Sequence, residues 1–183
     1  MIEREFSTDL LRSLVNYNTE TGELTWRNRN RSMFKSKRSW NAWNTKYAGK
    51  LAGVRCNDGY WRMGMLGRVY PCHRVAWAIK TGKWPESVID HANMDRSDNR
   101  FCNLRPANKS QNMGNSRIMK TNKTGIKGVY RLFNPDRWVA QTRIEGRPKY
   151  LGTFRCPAAA SFAYQIAADI KYGEFAYIGL CAA

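Results

Sequence analysis

The sequence predicts an α+β protein built from two small modules. Short β-rich runs alternate with amphipathic helical stretches through the N-terminal part. Residues 117–125 are polar and basic without apolar periodicity, as expected of a linker. Beyond them, further β-rich runs lead into one alanine-rich stretch with helical spacing. The expected organisation is a first domain over 1–116 with a basic N-terminal arm, a linker over 117–125, and a second domain over 126–183.

The elements follow in order. Residues 6–17 read as a short amphipathic helix, with Thr8 or Ser7 as cap and Leu10, Leu11, Leu14 and Val15 as its apolar face. The turn at 19–22 leads into a strand at 23–26. Arg27 to Lys50 is rich in Arg, Lys, Asn and Trp. It reads as a solvated loop or as a phosphate-tracking arm whose Trp40 and Trp43 anchor it or touch nucleic acid. Tyr60 to Met65 and Arg68 to Pro71 flank Leu66-Gly67 as a hairpin. His73 to Thr81 reads as a helix stopped by Gly82, with Val75, Trp77, Ala78 and Ile79 buried. Val88 to His91 and Asn103 to Arg105 are short strands around a polar loop, followed by a helix from Ser110 to about Arg117. In the second domain, strands are expected at 128–131, 138–144 and 149–154, then a helix at 157–172. Its Ala158, Phe162, Ile166 and Ile170 fall four apart and predict one packing face.

Composition narrows the partner. The chain carries 31 Lys+Arg against 14 Asp+Glu, a formal net charge of +17. That excess points to a polyanion, because each neutralised phosphate releases condensed counterions. With 43% hydrophobic and 13% aromatic residues, a disordered tail does not explain it. No apolar run approaches the ~18–20 residues that span a bilayer, and the residues after Met1 are too polar for secretion, so no membrane partner and an intracellular location are expected. The cysteines at 56, 72, 102, 156 and 181 are widely spaced and form no C-x-x-C pair, which fits free reduced thiols. With 2 histidines in all, a three-His zinc site is excluded.

The chemistry concentrates between Val88 and Asn112. Asp90-His91 is followed by a polar loop, then Asn99 to Asn103-Leu104-Arg105, then Ser110-Gln111-Asn112. Phosphodiester hydrolysis needs a deprotonated water and a cation to neutralise the leaving oxygen. A neutral imidazole is a suitable base at physiological pH. The pattern resembles the HNH (ββα-metal) endonucleases, specifically the phage and intron type in which the last His of the motif is Asn. The resemblance implies a DNA endonuclease with His91 as general base and Asn103 holding the loop and orienting His91. It further implies Asp90 and Asn112 as ligands of one divalent ion per active site, Mg²⁺ or Mn²⁺. Asn115, one turn along the helix, is a competing ligand. His73 matches a His-Arg-x-x-Trp segment that precedes the motif in this group, and it is expected to pack the module.

Residues 126 to about 178 resemble the AP2 domain, through Gly128-Val129-Tyr130-Arg131, Trp138 to Arg143, Tyr150 to Phe154 and the alanine-rich helix. AP2 domains lay a three-stranded antiparallel sheet in the major groove of double-stranded DNA, with a helix packed behind it. On that resemblance Arg131, Trp138, Gln141, Arg143 and Tyr150 are expected to contact DNA, with Arg147 and Lys149 on its backbone. The combined expectation is a homing-type endonuclease, nicking as a monomer or breaking both strands as a homodimer. The alternative is a non-catalytic, sequence-specific AP2-type regulator on an inert scaffold. The intact Asp90, His91 and Asn112 set favours the enzyme.

Overall fold

Ser7 opens the first helix, α1 (Thr8–Leu14), by accepting the Leu10 amide on its hydroxyl. Leu11 and Leu14 turn into the core, both fully buried. The computed structural model describes residues 6–119, 121–133, 136–144 and 146–177. The helix stops at Leu14, short of the expected Tyr17. Val15 begins β1 (Val15–Tyr17), which pairs antiparallel with β2 (Leu24–Trp26) through Val15 opposite Trp26. Cross-strand partners available only in the fold override the helical pattern at these three positions. Gly22 closes the β1–β2 turn at φ 78°, and a Cβ there would sit 2.5 Å from the Arg100 amide nitrogen. The turn is thereby free to lie against the loop around Asn99.

The basic stretch after β2 is not a loop. It holds a 3-10 turn (Arg31–Met33) and a helix, α2 (Lys37–Tyr47), capped by Ser36. No residue of α2 is fully buried, and its large apolar residues are Trp40, Trp43 and Tyr47 among polar and basic ones. Two tryptophans fasten it. The Trp43 ring lies 5.8 Å from Trp26 and 5.2 Å from Tyr47, and Trp40 Nε1 donates to Arg29 O at 2.7 Å.

A three-stranded antiparallel sheet follows, β3 (Val54–Arg55), β4 (Trp61–Met65) and β5 (Arg68–Pro71). The β4–β5 turn has φ 48° at Leu66 and 80° at Gly67, the positive pair of a tight two-residue hairpin. Helix α3 (Cys72–Thr81) ends at Gly82, as the sequence predicts. Its Val75 and Ala78 join Leu11, Leu14, Met63 and Met65 in the main core, whereas Trp77 and Ile79 are only partly buried. Finally β6 (Val88–His91) pairs antiparallel with β7 (Leu104–Ala107).

The chain divides into two compact units, Met1–Ala107 and Asn108–Ala183. The division lies ahead of the 117–125 segment expected as the linker. The second unit takes in α4 (Lys109–Gly114), because Lys127 Nζ donates to the Gly114 and Ser116 carbonyls at 2.6 and 2.7 Å. Asn122 and Thr124 build a hydrogen-bonded turn onto Ile126 and Val129, so part of the expected linker is structured. Strands β8 (Val129–Phe133), β9 (Asp136–Ile144) and β10 (Arg147–Phe154) form an antiparallel sheet in the order β10-β9-β8.

Helix α5 (Pro157–Tyr172) packs on this sheet, but through a different face from the one predicted. Ala160, Tyr164 and Ala168 are buried, whereas Phe162, Ile166 and Ile170 are 63%, 45% and 82% exposed and Ala158 is exposed. The sheet already presents Trp138, Leu151 and Phe154 to this core, and the helix meets it with Ala160 and Ala168 on either side of the Tyr164 ring. Gly128, at φ 70°, makes room for the Tyr164 ring, which a Cβ would meet at 2.1 Å. Cys56, Cys72, Cys102 and Cys156 are free thiols, and Cys181 lies outside the described residues. Among the described residues no helix is long and apolar enough to cross a membrane.

Candidate functional site

The β6–β7 hairpin places Asp90 opposite Arg105 and His91 opposite Leu104. Both Asp90 and His91 are buried. The loop between the strands is tied to itself. Asn103 Oδ1 accepts the Asn93 amide at 2.9 Å, and Asn103 Nδ2 donates to Asp98 O at 2.8 Å. Asn93 and Arg100 both donate to the Asp98 carboxylate, which holds its pKa down at about 2, with the Arg100 bond as the largest cause. Met94 takes φ 59°, an uncommon conformation for a side-chain-bearing residue, as its amide donates to His91 O.

His91 sits among rings and one amide. Its Nε2 lies 3.2 Å from Asn99 Oδ1. Asn99 is itself fixed, since its backbone carbonyl accepts the Tyr17 hydroxyl at 2.7 Å and Gly22 lies against it. With that oxygen as acceptor, the proton is on Nε2 and the basic lone pair on Nδ1. The His91 ring is 5.1 Å from His73 in an edge-on contact and 5.8 Å from Tyr60, and Tyr60 also touches His73 at 5.3 Å. Burial in this group lowers the His91 pKa, against an opposing pull from Asn99, so the imidazole is held in the neutral form that a general base requires. The same burial drives His73 down to about 3, with the nearby His91, Arg74 and Arg62 adding to it. The His73 Nδ1 is buried without a hydrogen-bond partner among the described residues.

Asp90 Oδ2 accepts from Arg105 Nε at 3.0 Å, which orients the carboxylate. Asn112 is exposed on α4 and Asn115 is buried at the end of that helix, both in the second unit. Among the described residues no cluster of three or more His, Cys, Asp or Glu could hold a metal ion by itself. The Asp90 carboxylate suits a hard divalent ion that retains several waters, and a single such ligand does not make a closed zinc cage.

In the second unit, register separates the expected DNA contacts into two sets. Tyr150 pairs with Gln141 and Pro148 with Arg143, so Gln141, Arg143 and Tyr150 share the face opposite to Ala140 and the α5 core. Arg131 pairs with Trp138 on the other parity. Trp138 packs against the core, and Arg131 is held by Asp136 at 2.8 Å and lies 5.6 Å over the Trp138 ring. Arg147 and Lys149 pair with Ile144 and Thr142, on the Trp138 parity near the β9–β10 turn, and both are exposed.

Motif spacing gives Asn99 no role and points to Asn103 as pinning the loop and orienting His91. In the structure Asn99 touches the imidazole and Asn103 secures the loop. Tyr60 and Arg105 also went without a role. Arg105 was open to inference from strand pairing with Asp90, whereas Tyr60 meets His91 only through the tertiary fold.

No curated protein and no solved structure matches the chain. Residues 70–114 match the family model described as HNH endonuclease, a span running from the end of β5 through α3, the β6–β7 hairpin and α4. The match supports an HNH nuclease module at these residues, and with it a DNA nuclease.

Proposed function

We propose that the protein is a metal-dependent DNA endonuclease of homing type, cleaving through the Asp90–His91 hairpin and targeted by an AP2-like second unit. The observation that carries the reading is the HNH match falling on a hairpin whose histidine is buried, neutral and held through Nε2 by Asn99. His91 Nδ1 takes a proton from water, the water oxygen bonds to phosphorus, and the bond from phosphorus to the leaving oxygen breaks. Asn99 keeps Nε2 protonated and stabilises the imidazolium that forms. Asn103 holds the loop in register. Asp90 would hold a divalent ion, Mg²⁺ or Mn²⁺, with Asn112 as the second ligand that the motif implies, and the ion would supply charge neutralisation at the leaving oxygen. Arg105 fixes the Asp90 carboxylate for that purpose.

The exposed sheet face with Gln141, Arg143 and Tyr150 supports major-groove contact, and Arg147 and Lys149 suit phosphates. Arg131 and Trp138 serve this unit by shaping the end of the sheet. The net charge of +17 supplies the sequence-independent attraction to duplex DNA. One centre cuts one strand, so a monomer nicks and a homodimer breaks both strands.

The test is cleavage of supercoiled plasmid with Mg²⁺ or Mn²⁺, against EDTA and His91→Ala. Metal-dependent relaxation that His91→Ala abolishes while DNA binding persists supports the enzyme. Binding without cleavage, on plasmids that include plausible targets, supports a regulator instead.

A further inference from the structure

The loop that carries the site also presents an arginine with no part in the chemistry above. Arg96 is exposed, yet three contacts hold it. Its Nη1 donates to Asp58 O at 3.0 Å, and its guanidinium carbon lies 4.9 Å over the Tyr60 ring. Its stem runs past Gly59, where an added Cβ would lie 3.6 Å from Arg96 Cβ and 3.8 Å from Cδ. Two other arginines of this region are neutralised by bidentate carboxylates, Arg62 by Asp58 and Arg100 by Asp98. Arg96 has no acidic partner among the described residues.

We propose that Arg96 is a phosphodiester clamp, gripping a backbone phosphate of the bound DNA strand and seating that strand against His91. The proposal rests on the nuclease reading and deepens it. Tyr60 is the common wall, with Arg96 over its ring and His91 in contact with it at 5.8 Å. The Asp58 bond uses one of the five guanidinium donors, and the rest match the oxygens of a phosphate. Because the side chain is already ordered, little further rotamer freedom is lost on binding. The neighbouring Arg62 and Arg100 are each spent on a carboxylate. Arg96 is held by a carbonyl and a ring, which order the group without cancelling its charge.

The experiment measures binding of the full chain to a short fluorescent duplex across a salt series, together with plasmid cleavage kinetics, for the wild-type protein, Arg96→Gln and Arg96→Lys. Arg96→Gln is expected to lower the slope of log K against log salt by about 0.9, the value for one phosphate contact. It is expected to weaken binding about tenfold to a hundredfold, as for one lost charge-assisted hydrogen bond. The loss in kcat/KM should fall mainly in KM. Arg96→Lys keeps the charge and should restore the slope while leaving KM raised, because the fork is gone. An unchanged slope and KM in Arg96→Gln, in a protein with unaltered thermal unfolding, overturns the clamp. Should the wild-type protein bind DNA without cutting it, the nuclease reading fails, and the salt slope still decides whether Arg96 holds a phosphate.

Discussion

Replacing His73 with Phe keeps a ring beside His91 and Tyr60 but removes a group that resists protonation. In the folded chain the His73 pKa is about 3, set mainly by burial, against 6.5 when unfolded. The unfolded chain therefore takes up a proton first as pH falls. Stability is fully present above about pH 6.5 and is lost progressively down towards about pH 3. Between about pH 7.5 and about pH 4.5 the unfolded state gains roughly two pH units of proton binding that the native state lacks, or about 2–3 kcal/mol. Asp98, with its pKa near 2, contributes little over that range. Urea unfolding followed by tryptophan fluorescence measures the loss. Six of the 7 tryptophans (Trp26, Trp40, Trp43, Trp61, Trp77 and Trp84) lie in the unit that holds His73. His73→Phe should reduce the acid loss by about 2–3 kcal/mol, leaving the smaller part due to His91. If wild-type and variant lose the same stability over this range, His73 is not held neutral by burial and the reasoning fails.

The other predictions concern single contacts. Leu66→Asn relieves a positive φ in the β4–β5 turn and should raise stability by about 0.5–1 kcal/mol, read as a higher Tm. Trp43→Ala removes the ring that fastens α2 to Trp26 and Phe34, and should cost about 2–3 kcal/mol in urea unfolding. Asn103→Ala removes two hydrogen bonds of the hairpin loop. It should cost about 1–3 kcal/mol and lower cleavage far more than DNA binding. Gly128→Ala drives a Cβ into the Tyr164 ring at a positive φ. The second unit should then lose about 2–4 kcal/mol, seen as an earlier thermal transition reported by Trp138.

Much of the site was legible because its signals are local. Asp90 and His91 adjoin on a short β run, and Leu104-Arg105 returns in its partner strand a loop later, just past Asn103, so pairing follows from spacing alone. The hairpin at Leu66-Gly67, the glycine stop at Gly82 and the three strands of the second unit are local in the same sense. Net charge, a property of composition, required no fold to be read.

Tertiary structure decided what depends on neighbours distant in sequence. The helix at Lys37–Tyr47 has no fully buried residue and is held because Trp43 reaches back to Trp26. The buried side of Pro157–Tyr172 was set by rings already filling the sheet, which made the alanines and not the isoleucines the better fit. Asn99 meets the His91 ring because Tyr17 and Gly22 press on its loop from the first hairpin. A residue pattern reports which side chains prefer burial or carry chemistry. Which of them meet is fixed by the shape of the surface each one packs against, and that surface is assembled from segments tens of residues apart.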